Sequence, residues 1–193
     1  MPNFNPQNAI IETANFMCVS AITAPKTKGV NLLTAFYLLP NEYGPLYEGL
    51  EKLSKKYDDI RVQRPYERDL ETLKKTDCLV VISSRKKLMD IAGCDACGFS
   101  GEPNGCKAAA LAGATCAYNS KDLGIAACSA AIVAHQRFID NRIIDTVGRV
   151  IINFGFYRNY TQIDAFDAVS IALSVSGKNP FYDRLEGKLK LKR

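Results

Sequence analysis

An α+β fold, a mixed sheet packed with helices, is what this sequence predicts, on three observations. Apolar residues recur at helical spacing through much of the chain, from Ile10, Ala14 and Met17 to the Ala-rich run 120–135. Only a few strand-like runs lie between them, at 30–39, 78–82 and 169–176. No repeat or low-complexity segment interrupts the 193 residues, and 47% apolar with 23% charged residues is the composition of an ordinary globular chain with a real core. The expected organisation is one domain over 1–185 containing a Cys-rich loop insertion at 93–117, followed by a basic tail over 186–193.

The elements follow in order. Asn5 is a capping residue and Pro6 suits a first helical position, so a helix is expected over 5–21, with Cys18 on its buried face. Pro25 and Gly29 bracket a loop before the apolar run Val30 to Leu39, which Pro40 ends. Leu46, Leu50, Leu53 and Tyr57 mark a second amphipathic helix, and Leu70 and Leu73 a shorter third one that runs into Asp77. Cys78-Leu79-Val80-Val81-Ile82 is continuous, as in a strand buried on both faces. The cysteine segment then supplies a loop and a short helix. The small residues of 120–135 predict a helix packed closely on most sides, and such a helix is compatible with a homodimer. Asp140 is expected to cap a helix whose Ile143, Ile144, Val147, Val150, Ile151 and Phe154 form one stripe, with Arg142, Asp145 and Arg149 opposite. In the last strand Val169, Ile171, Leu173 and Val175 alternate with Ser170, Ala172, Ser174 and Ser176, which leaves a small-residue face that a helix or a flat cofactor can approach.

Charge and motif content exclude several function classes. The formal charge is +5, but Lys188, Lys190, Lys192 and Arg193 sit in the tail, so the body is nearly neutral and lacks the basic stripe of a nucleic-acid binder. The longest apolar run, Leu123 to Ala134, is too short to span a bilayer, so no membrane partner is expected. The first residues lack the pattern of a signal peptide, which predicts a cytoplasmic protein with reduced thiols. There is no phosphate loop of the Gly-x-x-x-x-Gly-Lys kind, no zinc-protease helix and no nucleophile elbow. His135 is the single histidine, beside Gln136 and Arg137 at a helix end, so hydrolytic mechanisms that need a histidine base have little material.

The chemistry-bearing feature is the set Cys94, Cys97, Cys106 and Cys116, four of the seven cysteines, in a Gly-rich stretch. Thiolates are soft ligands, and four complete either a zinc site or a four-iron cluster. The spacing has a single Cys-x-x-Cys knuckle where structural zinc usually draws on two, and Gly93, Gly98, Gly101, Gly105 and Gly113 suit a backbone wrapped round a cubane. Iron–sulfur, zinc and a plain dithiol at Cys94 and Cys97 all remain open on spacing alone. Cys18, Cys78 and Cys128 lie in apolar runs and are read as packing residues.

The segments Gly93-Cys94-Asp95-Ala96-Cys97-Gly98-Phe99, Asp122-Leu123-Gly124-Ile125-Ala126, Asp140-Asn141-Arg142-Ile143 and Ser176 to Arg184 carry a resemblance. In this order they look like the prokaryotic family of uncharacterised proteins containing a ferredoxin domain. The resemblance implies a ferredoxin-like motif on Cys94, Cys97, Cys106 and Cys116, with a 4Fe-4S cluster, an electron-transfer role and an unknown redox partner. Residues 100–104 lengthen the gap before Cys106 relative to that family pattern, an extension that costs only a few tenths of a kcal/mol in loop closure. More distantly, the order of elements is similar to flavin-dependent nitroreductases, in which the loop after the first helix meets the flavin phosphate. That likeness implies FMN held by Lys26 and Lys28, with Lys178 or Arg142 adding charge, and a flavin lying against the small-residue face of the last strand. Solvated lysines at 26 and 28, and an ion-pair ladder of Arg142 and Arg149 with Asp145, are the plainer alternatives.

Overall fold

Asn5 opens the first helix, its side chain accepting a 3.0 Å hydrogen bond from the Gln7 N–H, with Pro6 in the first turn. The computed structural model describes residues 5–100, 105–160 and 164–182, so the expected basic tail lies outside the described residues. In chain order the elements are α1 (Pro6–Thr23), β1 (Leu33–Leu38), α2 (Gly44–Lys55), α3 (Ile60–Leu73), β2 (Cys78–Arg85), α4 (Gly105–Leu111), α5 (Ala117–Gln136), β3 (Asp140–Ile144), α6 (Asp145–Phe154) and β4 (Ala165–Ser174). The strands form one sheet in the order β1-β2-β4-β3. Every pairing is antiparallel, so among the described residues the sheet lacks the parallel part of a mixed one, while the α+β architecture is as expected.

The alternation of β2 sets the layers. Cys78, Val80 and Ile82 point into a core with α1 and α5, joined there by Ile171 and Leu173 of β4. Leu79 and Val81 point the other way, into a core with α2, α3 and α6. Helices thus cover both faces, which is why β2 is continuously apolar although its neighbours are antiparallel. The small face of β4 serves the second layer. A Cβ on Gly148 of α6 would collide with the Ala168 carbonyl, and the Ser170 hydroxyl donates to the Ile144 carbonyl at 3.0 Å. A helix occupies that face, so the flavin expected there has no room.

Three further expectations are corrected. Residues 140–144 are an edge strand, and the helix starts only at Asp145. The stripe Ile144, Val147, Val150 and Ile151 is buried as expected, but Ile143 belongs to the strand and is exposed. Pairing with β4 over Asp140↔Ser174 to Ile144↔Ser170 wins over the local helical spacing. α5 is not packed on most sides: Leu123, Ala126, Ala127, Ala130 and Ala134 are buried, whereas Ile125, Cys128 and Ile132 face outward. Finally, α3 begins at Ile60, capped by Asp59, although Pro65 lies inside it. No helix among the described residues is long and apolar enough to cross a membrane.

Candidate functional site

Antiparallel pairing decides which loops meet. Leu33 at the start of β1 pairs with Ser84 near the end of β2, so the loop before β1 and the segment after β2 emerge at the same end of the sheet. α5 also starts there and runs back along the sheet toward Asp140. Two buried polar residues one turn apart on α5 tie these parts together. Asp122 accepts from the Thr27 N–H at 3.1 and 3.2 Å and from the Thr27 hydroxyl at 2.9 Å. Asn119 accepts from the Lys87 N–H at 3.0 Å through Oδ1.

Within the cysteine segment Cys94, Cys97 and Cys106 are half-buried and Cys116 is buried, and all four are free thiols. The Cys94–Cys97 knuckle is a tight turn in which the Gly98 N–H donates to the Asp95 carbonyl at 2.7 Å, with Gly93 and Gly98 at positive φ. Asp95 itself is exposed. Gly105 lies so close to Phe99 that a Cβ there would run into the Phe99 carbonyl. Gly105 and Phe99 therefore lie together, and Cys106 follows Gly105 in the first turn of α4. Cys116 sits in a small apolar cluster with Leu32 and Met89, against which Leu88 and Ile91 pack. Among the described residues no three His, Cys, Asp or Glu side chains are already gathered to hold a metal ion.

The surroundings nevertheless favour an acceptor-rich occupant. Among the described residues only Arg85 Nε and Asn119 Nδ2 are buried side-chain polar atoms without a partner. Arg85 ends β2, eight residues before Gly93, and Asn119 lies three residues after Cys116. Leaving such a donor unpaired costs about 1–3 kcal/mol, and cluster sulfurs are the acceptors that a thiolate site would provide. The donor set, four free soft thiols within one short segment, is chemically of the kind that fits an iron–sulfur cluster.

The profile of a family described as uncharacterized protein containing a ferredoxin domain (DUF2148) matches residues 112–184. An uncharacterized protein of Archaeoglobus fulgidus is 30% identical over 179 residues, which cover 91% of each chain. The chain belongs to this family. The profile match includes Cys116 but not Cys94, Cys97 or Cys106. Among solved structures, a nitroreductase with bound FMN from Desulfitobacterium hafniense has a TM-score of 0.58 at 14% identity, covering 91% of this chain and 92% of that one. A nitroreductase with bound FMN from Bacteroides fragilis has a TM-score of 0.58 at 12% identity, covering 94% and 87%. The family member thus has the nitroreductase fold expected from its order of elements, and at these identities the likeness is one of fold.

The residues expected to hold flavin do not converge in the chain. The Lys26 amine turns inward to the carbonyls of Ile22 and Ala24, and burial lowers its pKa while the Asp122 carboxylate opposes that shift. Lys28, at φ 56°, donates to the Met89 carbonyl at 3.2 Å and the Asp90 carbonyl at 3.4 Å. Thr27, between them, gives its donors to Asp122, so a carboxylate already occupies the centre of the loop. Arg142 lies on β3, 3.9 Å from the fully buried Asp69 and 3.2 Å from the Phe181 carbonyl. Asp69 also receives Arg68 at 2.7 Å and the Thr146 hydroxyl at 2.8 Å. Arg142 is therefore committed to the α3–α6 layer, and only Arg149 pairs with Asp145, at 2.6 Å. Lys178 follows β4, beyond Ser174, at the opposite end of the sheet from Lys26 and Lys28. FMN does not fit this set within one chain.

His135 is exposed in the last turn of α5, beside Asp140 and Asn179 at the rim of a cavity of about 390 Å³, away from the cysteines. Asn119 and Arg85 carried no weight in the sequence. The available signal was an Asn and an Asp three residues apart in an otherwise small and apolar helix, a polar stripe facing inward.

Proposed function

We propose that this chain is an electron-transfer protein whose segment 93–117 holds a four-iron cluster on Cys94, Cys97, Cys106 and Cys116. The observation that supports the reading is the seating of Gly105 on Phe99, which draws the residue before Cys106 against the residue two after Cys97. The family description, with its ferredoxin domain, supports the same reading. When bound, such a cluster accepts and gives up one electron at a time. The chain's own residues do the rest. Glycines at 93, 98 and 113 allow the positive φ that bends backbone round the site. Leu32, Met89, Leu88 and Ile91 keep water from the Cys116 side. Asp122 and Asn119 fix the two flanking loops to α5, so the thiols approach from a rigid base.

Anaerobic purification, followed by a visible spectrum with iron, sulfide, zinc and flavin analysis, tests this. Brown protein with iron and sulfide is expected; colourless protein with one zinc per chain would overturn it. Cys97→Ser is expected to abolish iron binding, whereas Cys128→Ser, on the exposed face of α5, leaves it intact. Equal loss from both, or from neither, refutes the ligand set. A second reading, a flavin oxidoreductase, is favoured by the fold of the two FMN-bound nitroreductases. It requires yellow protein that releases flavin on heating, and donors other than the dispersed set described above.

A further inference from the structure

The start of α5 is built unlike an ordinary helix start. Cys116 occupies the cap position, where Ser, Thr, Asp or Asn usually accepts hydrogen bonds from the first turn, and its side chain makes no capping bond. The third helical residue is Asn119, whose backbone N–H donates to the Cys116 carbonyl at 3.0 Å. Asn119 is fully buried. Its Oδ1 is used by the Lys87 N–H, and its Nδ2 has no partner. A helix of 20 residues also concentrates partial positive charge at this end, which favours an anion held by the cap residue. A neutral thiol at position 116 uses neither feature; a cluster-bound thiolate uses both.

We propose that Asn119 is a positioning residue for the cluster, its Nδ2–H donating to the sulfur of Cys116 and raising the reduction potential. This rests on the reading of Cys116 as the fourth ligand. Hydrogen bonds to a ligating sulfur stabilise the more negative, reduced state, so removing one moves the potential downward. The Lys87 N–H engages the amide oxygen from the loop, which leaves Nδ2 as the free donor of the pair.

The test is the midpoint potential of the anaerobically reconstituted full chain, with iron content measured alongside. Asn119→Asp keeps an oxygen for the Lys87 N–H but removes the donor; Asn119→Leu removes both. The potential is expected to fall in both variants, with the Asp change giving the larger fall. Ile125→Asp adds the same charge on the exposed face of α5 and is expected to leave the potential nearly unmoved. Loss of one iron per chain from the Asn119 variants, but not from Ile125→Asp, supports the assignment equally. A fall in Asn119→Leu alone overturns it, because that result is a structural effect through Lys87. An equal fall in Ile125→Asp, or full iron with an unchanged potential in both Asn119 variants, also overturns it. Wild-type protein that takes up no iron brings down the cluster reading itself, and so is distinct from failure of the Asn119 assignment.

Discussion

Asp122 fixes the loop over 24–29 through three hydrogen bonds to one residue, Thr27. Asp122→Ala leaves the Thr27 N–H and hydroxyl without their charged acceptor, so a loss of about 2 kcal/mol in urea denaturation is expected. The same variant should be cut by trypsin after Lys26 sooner than the parent, because the amine now folded onto Ile22 and Ala24 is released with the loop. Single residues were also where the sequence spoke least evenly. Four clustered cysteines announce a thiol site at any scale of reading. The partners of Thr27, Lys28 and Arg142 do not, because Asp122, Met89 and Asp69 are distant in the chain and only the topology brings them near. Lys178 has the same difficulty in reverse, being grouped with lysines that the sheet holds at its other end.

Among the elements, α6 and β4 meet closely at Gly148. Gly148 faces the Ala168 backbone with no room for a methyl group, whereas Gly49 of α2 faces a side-chain methyl of Val150 on α6. Gly148→Ala forces the helix away from backbone rather than from a flexible side chain. A cost of about 3 kcal/mol, at the upper end of ordinary overpacking, is expected in thermal or urea unfolding. Most elements were legible because their patterns are local: the Asn5–Pro6 start of α1, the Pro40 stop after β1, the apolar run of β2 and the two-faced β4. β3 was not legible. Its five residues continue the apolar spacing of α6, and only pairing with β4 reveals an edge strand. The early turns of α3 were hidden by Pro65, which breaks the local signal but is tolerated in a helix held by Tyr66, Leu73 and the buried Asp69.

For the whole molecule, pH acts chiefly through buried thiols and phenols. Burial pushes the Cys18 thiol up to about 11, and burial followed by the influence of Cys18 pushes Cys78 up to about 12. Burial likewise raises Tyr157 to about 12, and Tyr43 well above its ordinary value. Each group is harder to ionise in the folded chain than in the unfolded one, so above about pH 9 the unfolded state binds fewer protons. The stability these neutral groups contribute is complete below that pH and is lost as pH rises through 11 to 12. Circular dichroism should show the urea midpoint flat from pH 7 to 8.5 and falling beyond pH 9, and Cys18→Ser should lessen the fall between 9 and 11. The layered architecture itself was legible, since composition and period point to helices on a sheet; the strand order and the sharing of one sheet end by the loop before β1 and the segment after β2 were not. That sharing has a consequence for how the segment is held. The Asn119–Lys87 bond joins residues 32 apart in sequence, like the closed link of a bracelet. Just inside that clasp, Met89 and Cys116 pack with Leu32, so the described ends of the span are fastened to the sheet end that carries them.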